Sequence, residues 1–124
     1  MSKEERPLSP HLTIYRWPIT MTLSILHRMT GFALSVGLVA FVVWLQAIAW
    51  NVVPYDTLAT AMQSLVGQAL LLGWLFSFSF HFANGGRHVS WAPGRLFEKL
   101  QADTSAWIVR AASVLMTVGY WLAI

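Results

Sequence analysis

Two long stretches of this chain contain no Asp, Glu, Lys or Arg: Met29 to Trp50 and Thr57 to Gly86. Each exceeds the ~20 residues an α-helix needs to cross the hydrocarbon core of a bilayer. A third apolar run, Ser105 to Ile124, carries Arg110 near its start, where a long side chain can snorkel to the nearer interface. Lipid offers the backbone no hydrogen bonds, so such segments cross as helices rather than as open strands. Of 124 residues, 56% are hydrophobic and 10% charged, against about 25% charged in a soluble domain. The pattern predicts an all-α membrane protein. Its single three-helix unit covers residues 21–124, with spans over about 22–50, 60–86 and 104–124. Three helices alone make a thin bundle, which points to a place in a larger, multi-subunit helical bundle.

The flanks set the topology. Residues 1–20 carry Pro7, Pro10 and Pro18, with Tyr15 and Trp17 suited to a membrane interface. They read as an extended interfacial segment on the membrane or a soluble partner. The first helix is expected to start at an N-cap of Thr20 or Thr22. Asn51 to Tyr55 breaks it, and Asp56 or Thr57 is expected to cap the second span. Arg87 to Asp103 is the second connection, with a turn at Pro93–Gly94 and a short surface helix that turns Trp91, Leu96, Phe97 and Leu100 toward headgroups. Lys3, Arg6, Arg16 and Arg28 precede the first span; Arg87, Arg95, Lys99 and Arg110 fall in or beside the second connection. With three spans these lie on one side, which the positive-inside rule makes cytoplasmic. No signal peptide is apparent, and Glu4 and Glu5 argue against an organellar presequence. The expectation is a multi-pass protein of a bacterial inner membrane, amino terminus inside, rather than of a mitochondrion. The net charge of +3 is tied to membrane flanks, which sets nucleic-acid binding aside.

The chemistry concentrates in Ser77 to His88, SFSFHFANGGRH. His81, Gly85 and His88 fall at i, i+4 and i+7, on one helix face. Gly85 clears space one turn from His81, where something flat could lie against the backbone. An ionisable group inside a span marks a site by default, although a histidine bonded to a neighbouring helix is the plain alternative. At the start of the first span, Ser24, His27, Arg28 and Gly31 share a stripe, and Gly31 with Ser35 makes a small-residue packing pair. Read singly, Arg28 is a snorkelling anchor and Ser24 a hydroxyl returned to its own backbone. The topology puts His27 and His81 at similar depth, with Ser24, Arg28, Arg87 and His88 nearer water. Without Cys, thiolate metal sites and c-type haem attachment are excluded. Neutral imidazole can ligate haem between helices, with Arg28, His27 and Arg87 available to propionates. The second ligand is either His27 or a residue of another subunit. No nucleophile–base set, phosphate loop or carboxylate pair is present, so the chain is non-catalytic alone.

The segment Arg6 to Gly31, RPLSPHLTIYRWPITMTLSILHRMTG, resembles the signature of the cytochrome b556 subunits of succinate dehydrogenase. Its core S-x-x-H-R-x-[ST]-G stands as Ser24, His27, Arg28, Thr30 and Gly31, and H-x-x-x-G-x-R-H stands as His81, Gly85, Arg87 and His88. The resemblance implies a haem b-binding membrane-anchor subunit of respiratory complex II, which passes electrons from succinate to ubiquinone. It implies three partners: a second small anchor subunit, an iron–sulfur subunit and a flavoprotein. It makes His81 an axial haem ligand, with the other from the second anchor. It places His27 and Arg28 near the propionates, and Ser24, Arg28, Ile25 and Trp17 at the quinone site, with His88 structural or propionate-facing. The family often carries an Asp shortly after the Arg-His pair; here no acid follows until Glu98. The alternative is a haem-free structural anchor that only recruits a soluble enzyme.

Overall fold

Pro18 opens the structure's first helix. In the computed structural model, which describes residues 14, 16–94 and 98–124, Pro18 is the N-cap of α1, Ile19–Ala49, with φ −61° and ψ 145°. The expected Thr caps are not used: Thr22 lies inside the first turn, its hydroxyl donating to the Pro18 carbonyl at 3.3 Å. Proline has no N–H to satisfy and its fixed φ passes directly into a helix. The far end closes through Asn51, in the left-handed region at φ 52°. Asn51 N–H donates to Ile48 O and Val52 N–H to Ala47 O, the paired bonds of a Schellman stop.

The second uncharged run folds as two helices. α2, Tyr55–Gln63, follows Pro54 as N-cap, with Asp56 in its first turn rather than capping it. There the carboxylate faces the positive end of the helix dipole. α3, Leu65–Trp91, begins at Ser64, which is extended at φ −63° and ψ 157° and whose hydroxyl accepts from Gly67 N–H. Gly67 permits the corner, since a β-carbon there would overlap the Ala61 carbonyl and Met62 backbone. The second long helix therefore starts at Leu65, with Ser64 as its cap.

The expected second connection is shorter than the sequence suggested. α3 carries Arg87 and His88 within its last turns and ends at Trp91, and Gly94, at φ 81°, sits in the turn that follows. α4 runs Lys99–Ala123, so Leu100 lies in the third span's own helix. The expected surface helix is thus divided between two long helices; Leu96 and Phe97, like Tyr15, lie outside the described residues. α1, α3 and α4 are each long and apolar enough to cross a membrane, and no strand occurs among the described residues.

α3 is the central element: it packs against α1, α2 and α4, and α1 also touches α4. The small apolar core is Leu23, Phe80, Ala106 and Val109. Around it are buried Thr30, Ser77, Ser79, Asn84, Arg87, Ser113 and Thr117. Between helices in lipid there is no apolar driving force, so small and hydroxylated residues give close packing instead. Most of these hydroxyls donate to their own helix: Ser77 to Gly73 O, Ser113 to Val109 O and Thr117 to Ser113 O. Higher up the bundle, the Trp74 ring lies directly on Gly37, leaving no room for a β-carbon. Outward faces are apolar, with Phe32, Val36, Val39, Leu70, Phe82 and Leu115 exposed, as lipid or partner helices require.

Candidate functional site

Near one end of the bundle, α3 turns His81 onto the first helix. His81 Nδ1 lies 3.1 Å from the carbonyl oxygen of His27 and 3.4 Å from the Thr30 hydroxyl. A carbonyl can only accept, so the proton of this bond sits on Nδ1 and the Nε2 lone pair is left free. No hydrogen bond engages Nε2 among the described residues. Gly31 makes the approach possible: a β-carbon there would stand 3.0 Å from His81 Cε1. The glycine against His81 is therefore Gly31 on the facing helix, while Gly85 borders open space, with nothing within 4 Å of where its β-carbon would be.

His27 and His81 do share a depth. Their rings stack with centroids 3.8 Å apart and planes at 11°. His88, one side of the same cluster, lies 5.2 Å from the His27 ring, tilted by 56°, and meets Trp91 edge-on at 4.9 Å. His88 is exposed, His27 and His81 half-buried. His27 Nδ1 is buried and has no hydrogen-bond partner among the described residues. The three imidazoles form a stack rather than a converging ligand set, and among the described residues no His/Cys/Asp/Glu group could hold an ion by itself.

Ser24 and Arg28 stand beside this stack, one turn apart on α1. Arg28 is exposed and Ser24 half-buried. Most helical hydroxyls here return to a carbonyl one turn back, as Ser35 does to Gly31 and Ser90 to Gly86. Ser24 does not; it and Arg28 make no hydrogen bond or ion pair among the described residues. Both therefore keep hydrogen-bond donors that no described residue engages. Ile25 is half-buried, and Trp17 is 61% exposed just before the helix begins.

The sequence and its relatives decide what kind of membrane chain this is. Residues 2–120 match the family model described as succinate dehydrogenase/fumarate reductase transmembrane subunit. This chain belongs to that family. It is 38% identical over 120 residues to a succinate dehydrogenase cytochrome b556 subunit of Rickettsia prowazekii, covering 95% of this chain and 92% of the relative. It is 33% identical to the cytochrome b556 subunit of Paracoccus denitrificans, over 95% and 91% of the two chains. The mitochondrial cytochrome b560 subunit of Sus scrofa is 37% identical over 92% of this chain and 69% of its own. Family membership makes the three long helices those of a transmembrane subunit of the succinate dehydrogenase/fumarate reductase family.

Within this family's second motif, the structure separates neighbours that the sequence joins. Arg87 does not face the histidines. It is buried, 5% exposed, and turned to α4, where Nε donates to Ser105 Oγ at 2.9 Å and a terminal nitrogen to Ala102 O at 3.3 Å. Its guanidinium also lies 4.3 Å over the Trp91 ring. Arg87 is thus a clasp between α3 and α4 and is removed from the set available to propionates. The signal was legible: at 100° per residue, Arg87 falls with Phe80 and Asn84, while His88 falls with His81. Asn84, fully buried on the Arg87 stripe, has neither amide atom bonded among the described residues.

Proposed function

We propose that this chain is the haem b-binding anchor of a succinate:ubiquinone oxidoreductase and forms part of its quinone-reduction site. The observation that carries this reading is the His81 geometry: Nδ1 bonded to the His27 carbonyl, Nε2 free. Metal-bound histidines are usually held through their other ring nitrogen in this way. The orphaned His27 Nδ1 fits a propionate carboxylate, with Arg28 beside it. Haem b, when bound, supplies a one-electron store beside the quinone. His81 would hold the haem from this chain and the other small anchor subunit would supply the remaining ligand; His27 would not, because parallel rings 3.8 Å apart leave no slot for a porphyrin between His27 and His81. That geometry speaks against a self-contained cytochrome built on these two histidines.

The quinone work falls to the free donors. Reducing a quinone takes two electrons and two protons, one proton to each carbonyl oxygen. Electrons arrive from succinate through the flavoprotein and iron–sulfur subunits, which dock on the cytoplasmic side, where the basic flanks lie. Ser24 donates to a quinone carbonyl, and the Arg28 guanidinium stabilises negative charge that grows on the oxygen before protonation. Ile25 and Trp17 supply apolar walls.

The test compares two acceptors in the assembled complex. Arg28→Leu is expected to slow succinate-driven ubiquinone reduction by about 100-fold, the scale of losing one preorganised donor, with Ser24→Ala about tenfold. Succinate oxidation by a soluble artificial dye stays at the wild-type rate. Equal loss with both acceptors, or with neither, overturns the quinone role. Full quinone activity without any haem band would favour the haem-free anchor.

A further inference from the structure

The facing surface of α1 is shaped around one side chain. Three features of one stretch of α1 meet the His81 ring: the His27 carbonyl at 3.1 Å, the Thr30 hydroxyl at 3.4 Å, and the bare Cα of Gly31. Thr30 is itself fixed. Buried at 6% exposure, its Oγ1 lies 2.8 Å from Leu26 O and 3.0 Å from His27 O. One hydroxyl proton serves those carbonyls, so the oxygen's lone pairs remain for the proton on His81 Nδ1. The β-branched side chain of Thr has few rotamers in a helix, which locks that oxygen in place. Gly31 decides the distance, since any β-carbon would push the imidazole back by a few tenths of an ångström.

We infer that Thr30 and Gly31 are positioning residues that hold the His81 imidazole in one tautomer and one ring orientation, and so tune the electron affinity of whatever iron Nε2 ligates. The inference rests on His81 being a haem ligand. A proton shared from Nδ1 to two oxygens makes the imidazole a stronger donor through Nε2. A stronger donor favours the oxidised iron, so loosening the contact makes the haem easier to reduce. Neither residue need touch haem or quinone for this.

The experiment uses the purified whole complex, with redox titration and low-spin electron paramagnetic resonance of the haem. In Gly31→Ala the reduced-to-oxidised ratio at a fixed ambient potential is expected to rise about tenfold, a shift of about 59 mV for a one-electron couple. The resonance positions move with it. Thr30→Val moves both in the same direction by less, and Thr30→Ser, which keeps the hydroxyl but not the β-branch, stays closer to wild type than Thr30→Val. Should Gly31→Ala not assemble, the Val and Ser pair decides alone. Unchanged potential and resonance in the assembled variants overturn the inference. His81→Ala separates the two layers. Haem lost there, with wild-type potentials in the Thr30 and Gly31 variants, sinks only the positioning role. Haem retained with an unaltered spectrum removes His81 as the ligand.

Discussion

α3 has two polar faces, and they are finished differently. Toward α4, Arg87 donates to Ser105 and Ala102 and stacks on Trp91, while Ser113 and Thr117 donate to carbonyls of their own helix. Toward α1, among the described residues, His81 bonds through one nitrogen only, His27 Nδ1 has no partner, and Ser24 and Arg28 make no hydrogen bond. Buried polar groups are normally satisfied, so the difference distinguishes a structural seam from the candidate site. Asn84 is the exception on the structural side, with both amide atoms unpartnered among the described residues.

The contrast can be broken most sharply at Arg87. Arg87→Ala is expected to lower the stability of the assembled complex by about 1–3 kcal/mol, through lost hydrogen bonds and lost packing on Trp91. The haem spectrum and the Michaelis constant for quinone should stay as in the wild type. A thermal melt of the complex checks the first, and the spectrum and kinetics check the second. An altered spectrum with unchanged stability would move Arg87 to the other face. Arg87→Leu sharpens the result, because a packed apolar residue can replace a buried charge at little cost. The smallest effect belongs to Ser113→Ala. Among the described residues its hydroxyl serves only the Val109 carbonyl of its own helix, and polar contacts in such bundles average about 0.6 kcal/mol. A melt shift beyond about 2 kcal/mol would show that the seam depends on it.

Charge and hydropathy made the three spans legible, because lipid tolerates so few arrangements of the backbone. The corner at Ser64 was not. Thr57 to Gly86 is uniformly uncharged, and the break depends on one serine hydroxyl meeting Gly67 N–H. The ends of α3 and α4 were also misplaced, since Arg87, His88 and Lys99 look like connecting residues but continue the helices. At the site, spacing brought His27 and His81 to one level. It could not show that the rings stack, because that depends on how closely α1 approaches α3, and Gly31 sets that approach. Gly85, one turn from His81 on the same helix, does border open space, as its spacing suggested; the contact with the His81 ring comes from Gly31 across the interface.

The central claim is that His81 and His27, stacked neighbours, do different jobs. The measurement that tests it most directly is a reduced-minus-oxidised absorption spectrum of the whole complex carrying His81→Ala or His27→Ala. The account predicts that the b-type haem band disappears in the first and persists, shifted in potential, in the second. A band that survives His81→Ala, or one that vanishes equally in both, would contradict it.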